Sequence, residues 1–269
     1  MKKFISFFLV VVFLFSFALS ASAYTVGMLS KLDITENDWK NSILKYLKYH
    51  SEADDYVFVF YDSILSMTLS LGAGDIDAMA LPEIVAHYVI NNRPDLKVGR
   101  IIKPEYKQYF VFGFSEKNEE LRKKFNDALK DIKSDGTLDK LKERYLKTDG
   151  EIESISFENF ADAETIKVAV TGDLPPIDYV ASDGSAAGFN TALLSEIAKK
   201  LKVNISLVNT NTGARAASLI SGRSDVAFWY QLSDGVDKQK DIPQGIIVSE
   251  PYYEWDKYVD IMLKNENKK

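Results

Sequence analysis

The chain has no cysteine among its 269 residues. That removes disulfide scaffolds, thiolate-held zinc, iron–sulfur clusters, thiol nucleophiles and lipid attachment through cysteine. Histidine is nearly missing too. His50 and His87 are the only two and carry no ligand spacing, so a histidine-built metal site or a Ser-His-Asp triad has little to draw on. A basic excess is also absent: the formal charge is −6, which disfavours nucleic acid as a partner. Beyond the first 23 residues no apolar stretch reaches the ~18 residues that a membrane span needs. No cofactor and no metal are expected.

What is present begins with an address. Lys2 and Lys3 form a positive start, residues 4–19 an apolar run, and Ala21-Ser22-Ala23 a small-residue cleavage motif. Residues 1–23 therefore read as a signal peptide, the alternative being an uncleaved anchor of spanning length. A cleaved chain would start at Tyr24, and without a lipid-anchoring cysteine it is expected to be soluble, in the periplasm or secreted. At 46% hydrophobic and 27% charged, it can bury a core sufficient for one large domain or two lobes of roughly 100–150 residues.

The two halves of the remainder read alike. In the first, residues 25–29 form a strand. Thr35 and Asp38 stand at capping-box spacing before a helix with Trp39, Ile43 and Leu47 on one stripe. Residues 56–60 are a continuous apolar strand of the kind buried on both faces. A helix capped by Asp62 or Ser63, a strand at 76–81 and a helix at 83–91 follow. In the second half, a strand at 166–170 precedes a helix on which Phe189, Leu193, Ile197 and Leu201 step by four. Then come a strand at 203–208, a helix near 214–221 and a strand at 225–229. Strands alternating with helices indicate βαβ units and largely parallel sheets. One segment recurs almost letter for letter: Ser70-Leu71 with Gly74 and Asp77, and Ser218-Leu219 with Gly222 and Asp225. Leu would pack the helix, Gly end it and Asp enter the next strand. Between the halves, Leu121, Phe125, Leu129 and Ile132 form one helical stripe and Leu138, Leu141 and Tyr145 another.

These pieces carry a resemblance. Residues 132–141 with Tyr145 resemble the carboxy-terminal helices of bacterial family-3 extracellular solute-binding proteins, which serve amino-acid ABC transporters. Leu71 to Ala86, with Gly74, Asp77 and Glu83, resembles that family's second lobe. Pro175-Pro176, Asp183-Gly184, Gly188-Phe189-Asn190 and Ser249-Glu250-Pro251-Tyr252-Tyr253 resemble its first. The resemblance implies an α/β, two-lobed, type II periplasmic-binding-protein-like fold, each lobe a mostly parallel sheet flanked by helices. It implies one lobe at 24–105, a hinge crossing and closing helices at 106–147, a linker at 148–164 and the other lobe at 165–269. The family runs first lobe, hinge, second lobe, hinge, closing helices; here second-lobe material comes first. A circular permutation has this order, and so would two truncated tandem copies borrowing parts from a partner chain.

The resemblance implies a cleft that closes on a ligand about its hinge, but three of the family's amino-acid clamps are altered. Thr171 and Leu174 stand where it has an acid and an aromatic. Pro82, not Asp, precedes Glu83. Residues 230–234 replace its Gly-x-Thr-x-Thr, with no arginine following. The ligand-binding candidates are Arg215, whose fork can grip a carboxylate, Tyr230 and Gln231 at a strand's carboxyl end, and Asp173, Leu174 and Glu83. Trp229 reads equally as core, Tyr179 and Trp255 read as core or hinge residues before ligand contacts, and Lys31 as a solvated charge. The expected function is capture of a small polar solute for an ABC importer, without covalent chemistry. Two alternatives stand beside it: a degenerate member that binds a protein partner, and a prephenate- or arogenate-dehydratase-like enzyme using Glu83, Asp173 and Arg215.

Overall fold

A computed structural model of the chain describes residues 23–30, 56–103, 107–146, 152–181, 183–233 and 242–264, with positions 37, 40 and 149. The apolar leader, the expected helix of Trp39, Ile43 and Leu47, and Lys31, Thr35 and His50 lie outside the described residues. No described helix is long and apolar enough to cross a membrane.

Two five-stranded paths organise the molecule. Sheet A takes β1 (Tyr24–Leu29), β2 (Tyr56–Tyr61), β3 (Ala78–Pro82) and β4 (Leu96–Ile102), and receives β14 (Tyr258–Leu263) from the far end of the chain, in the order β2-β1-β3-β14-β4. Sheet B takes β6 (Thr165–Val170), β10 (Asn204–Asn209), β11 (Val226–Ser233) and β12 (Ile246–Val248), and receives β5 (Gln108–Ser115), in the order β10-β6-β11-β5-β12. In each sheet the received strand stands fourth and runs antiparallel to its neighbours, while the first three are mutually parallel. Each lobe is thus completed by a strand from the other half. A short strand, β13 (Tyr253–Trp255), also pairs with β5, and β7 (Asp173–Leu174), β8 (Asp178–Val180) and β9 (Ala186–Ala187) form a small third sheet.

The repeated segment folds the same way twice. In lobe A, helix α1 (Ile64–Ala73) is capped by Ser63, whose hydroxyl accepts from the Ser66 N–H, and ends at Gly74 with φ 82°. In lobe B, the equivalent helix (Arg215–Ile220) is followed by Gly222 at φ 72°. A residue with a Cβ is disfavoured at such left-handed positions, so glycine marks the stop. Leu71 and Leu219, 2% and 1% exposed, pack the two helices down. The aspartate then reaches back to the lobe's first strand. The Asp77 carboxylate accepts from Thr25 N–H and its own N–H donates to Thr25 O, both at 2.8 Å; Asp225 does the same with Lys167, again at 2.8 Å. Two bonds per turn fix where β3 and β11 begin beside β1 and β6.

The middle of the chain packs on sheet B. Helix α3 (Glu119–Ser134) buries Phe125, Leu129 and Ile132, and the Phe125 ring sits edge-on to Phe112 and Phe114 at 5.6 and 5.2 Å. Helix α4 (Thr137–Tyr145) continues from it, and both lie against α5 (Phe189–Leu201). The segment after α4 is tied to lobe B as well: Ile155 N–H donates to Ala186 O, and Asn204 exchanges hydrogen bonds with the Phe160 backbone. Strand β2 corrects one expectation. It is apolar throughout but stands at the edge of sheet A, with Val57 41% exposed, because β1 rather than β2 takes the inner place.

Candidate functional site

In open α/β sheets, ligands bind beyond the carboxyl ends of the parallel strands. Here the ends of β1 and β3 in lobe A and of β11 in lobe B meet around a cavity of about 30 Å³. Lobe A lines it with Met28, Leu29, Ser30, Ala80 and Pro82; lobe B supplies Leu174, Arg215, Trp229 and Gln231. The two strands that change lobes add Phe110 from β5 and Tyr258 from β14.

Arg215 is the charged member of this lining, and it is 1% exposed. Its helix, α6 (Arg215–Ile220), starts after a short turn in which Asn211 caps Ala214 N–H. The guanidinium donates through Nε to Thr212 O at 3.1 Å and through Nη1 to the Phe228 and Trp229 carbonyls. It also lies over the Trp229 ring, 4.0 Å from its centre, a cation–π contact. These carbonyls are available because β11 is irregular there: its register against β5 shifts between Ala227 and Tyr230, and Trp229 takes φ 25°. A positive φ on a bulky aromatic costs on the order of 1–3 kcal/mol and is held only where its surroundings determine it. Arg215 below and the Phe110 ring, 5.7 Å from Trp229, supply that support.

Behind this wall lies a buried polar group. Asp178 accepts from the Thr171 N–H and hydroxyl at 3.0 and 2.9 Å, yet burial pushes its pKa up to about 6. Tyr252, 2% exposed, has its phenol raised well above the ordinary value by burial and by the neighbouring Asp178. In lobe A, Asp260 on β14 is 1% exposed, its Oδ1 has no hydrogen-bond partner among the described residues, and burial raises it to about 6.

The cavity brings together three of the six expected site residues. Arg215, Leu174 and Gln231 line it. Gln231 does more than that: its Nε2 donates at 2.8 Å both to Gln108 Oε1, at the start of β5, and to the Tyr258 hydroxyl, at the start of β14. One amide therefore joins both crossing strands. Tyr230 is not at the cavity. Beyond the irregular step it is wholly buried in a separate apolar cluster with Val111 and Leu219, and its ring occupies the space where a Cβ on Gly113 would come within 2.2 Å. Glu83 is also outside the lining. It accepts from Lys257 Nζ at 3.1 and 3.3 Å and its N–H donates to Lys257 O, which ties α2 (Glu83–Asn91) to the crossing segment. Asp173 lies on β7, opposite Tyr179, away from the lining. Of the acid, base and arginine that a dehydratase-like site would need, only Arg215 faces the cavity.

Two α/β lobes, each sheet holding one strand from the other half, with a cavity where they meet, define a two-lobed binding-protein architecture. The family follows: the model of the bacterial extracellular solute-binding proteins, family 3, matches residues 16–148 and 166–267, and the chain belongs to that family. No curated protein matches it in sequence. Among solved structures it is similar to the ligand-binding component of an ABC-type import system from Staphylococcus aureus with zinc bound, at 12% identity and TM-score 0.47, over 90% of this chain and 66% of that one. It is similar also to the periplasmic aliphatic sulphonate binding protein SsuA from Escherichia coli, at 14% identity and TM-score 0.42, over 90% and 65%. A third is the GluR0 ligand-binding core from Nostoc punctiforme in complex with L-glutamate, at 9% identity and TM-score 0.39, over 90% and 85%. The chain spans about two thirds of the length of the first two.

Proposed function

We propose that the chain is an exported receptor, cleaved after Ala23 and free in the periplasm, that captures a small solute between its lobes for an ABC importer. The observation that carries this is Arg215, set on Trp229 in a cavity built by both lobes and both crossing strands. The cavity is small, about 30 Å³, so this reading has the lobes part to admit a solute and close on it again. The segment at 256–257, between β13 on sheet B and β14 on sheet A, is where such a hinge belongs. Arg215 then turns from the Phe228 and Trp229 carbonyls to an acidic group of the ligand, with Gln231 and Leu174 beside it.

The test is thermal unfolding of the chain from Tyr24 onward against amino acids, small peptides, organic acids and polyamines. A ligand at about 100 times its dissociation constant adds roughly 2.7 kcal/mol, a shift of a few degrees. A flat screen, together with native mass spectrometry finding nothing bound, overturns the reading. The smallness of the cavity favours the second reading in that event: lobes that stay shut and a surface that serves a protein partner.

We also propose that the chain is a circular permutant of the family's usual order. The family match in two blocks on either side of the 148–164 linker supports this, as does a strand order in which β14 hands over to sheet A where β1 would follow. A gene rearranged to begin at 165 and run from β14 into β1 is expected to fold to the same stability and bind the same solute. A rearranged chain that dimerises or fails to fold favours tandem copies instead.

A further inference from the structure

Resting on the solute-capture reading above, we infer that Gln231 is a positioning residue: its hydrogen bond to Tyr258 latches lobe A to lobe B across a pivot at Asp256, and a solute enters the cavity when that bond gives way. The pivot follows from what is fixed on either side of it. Trp255 still belongs to sheet B, where it lies opposite Gln108 and packs on the Phe110 ring at 4.3 Å. Lys257 already belongs to lobe A: its carbonyl accepts from the Glu83 N–H at 3.0 Å and its ammonium donates to the Glu83 carboxylate at 3.1 Å. Tyr258, next along, pairs with Pro82 and Ile102 in sheet A. Asp256 stands between these anchored neighbours. Its carboxylate meets Lys103 at 3.3 Å with both side chains exposed, a pair too well solvated to hold a hinge shut.

Gln231 reaches over this pivot from β11. One N–H of its amide goes to Gln108 Oε1 and the other to the Tyr258 hydroxyl, each at 2.8 Å. The two bonds have different duties. Gln231 and Gln108 both sit on sheet B, so their bond outlasts a movement of the lobes and fixes the plane of the amide. The second N–H is thereby aimed at a hydroxyl on sheet A, and this bond lengthens when Tyr258 swings with lobe A about Asp256. Gln231 and Tyr258 also line the cavity, so the bond that parts on opening lies in the wall a solute would meet. A neutral hydrogen bond is worth roughly three- to tenfold in such an equilibrium. That is enough to set how often the empty lobes part without locking them.

The lack of cysteine makes the movement measurable. Ala80→Cys sets a thiol in the cavity lining, at a position 4% exposed. Ala128→Cys sets one at an equally buried position on α3, in the core and outside the lining. In the chain from Tyr24 onward, an aromatic disulfide reagent labels each thiol at a rate set by how often its surroundings open. Gln231→Met is expected to speed labelling at position 80 about three- to tenfold and to change it at position 128 by less than about twofold. Tyr258→Phe, which removes the same bond from the other side, is expected to do likewise. Joined to Gln231→Met it should add less than about twofold, because the bond is already gone. Unchanged labelling at position 80, equal acceleration at both positions, or a double variant whose effects multiply each overturns the latch. No solute enters these measurements, so any of those results leaves capture to the thermal screen, and a silent screen overturns capture whatever the rates.

Discussion

Asp77 and Asp225 hold the first strands of their lobes with the same two bonds at the same 2.8 Å, and each follows a glycine that ends a helix packed by a leucine. Lobes A and B also accept their foreign strand at the same place in the sheet. At the cleft the likeness ends. Lobe B brings a buried cation, an indole and an amide; lobe A brings aliphatic side chains, a proline and one hydroxyl. The fold-determining positions sit at turns and core faces, whereas the strand ends that face the cleft are not needed to close either sheet. A repeated architecture therefore leaves the two walls free to differ in charge, and among the described lining residues the one charge stands on the lobe B side.

The comparison breaks most visibly at Arg215. Arg215→Leu removes three backbone contacts from a fully buried site and leaves the Phe228 and Trp229 carbonyls without their donor. It is expected to destabilise the chain by about 3–5 kcal/mol in urea unfolding. At the matching step of lobe A, 148 positions earlier in the repeat, stands Met67, whose buried side chain has no charge or hydrogen bond to lose, and Met67→Leu is expected to cost less than about 1.5 kcal/mol. Equal losses at the two positions would refute the asymmetry.

A smaller effect of opposite sign is expected at Asp260. Its folded pKa of about 6 exceeds the ordinary carboxylate value, so the folded chain binds more protons than the unfolded one between about pH 4 and 6. Its contribution is fully present below that window and is lost as pH rises through it. Asp260→Asn is therefore expected to be more stable than the parent by on the order of 2 kcal/mol at pH 8, with the gap closing toward pH 4. Melting temperatures measured across that range decide it; a gap that does not change with pH rules out the buried carboxylate as its cause.

The smallest effects sharpen the likeness. Asp77→Ala and Asp225→Ala each remove one charge-assisted bond to a backbone N–H and are expected to cost about 1.5–2 kcal/mol apiece. Two values that differ by more than about 1 kcal/mol would mean that the repeated turn carries different loads in the two lobes.

Much of this architecture is legible in the residues. The helix at Phe189–Leu201 follows from four apolar residues at steps of four, and the turn shared by the lobes follows from Ser-Leu, Gly and Asp at equal spacing. Gln231 reaches the cavity from a strand's carboxyl end, Arg215 from the start of a helix and Leu174 from a position where the family resemblance places a clamp. What could not be read depends on neighbours far along the chain. β2 looks like an inner strand because its composition is apolar, but edge position is a property of strand order. Tyr230 and Trp229 exchange faces because one residue adopts a positive φ, and no local pattern signals that. Phe110 and Tyr258 come to the cleft only through strands that change lobes. Asp260 did leave a mark: a lone acid inside the apolar run of Val259, Ile261 and Met262.

The two exchanged strands have a consequence for how such a molecule is inherited. Removal of either half of the gene deletes a whole lobe and also takes the fourth strand out of the lobe that remains. Neither half can be lost, copied or recruited into another protein as a working unit. The order in which the halves are encoded carries no such restriction, since each sheet needs its visitor but not the direction from which it arrives.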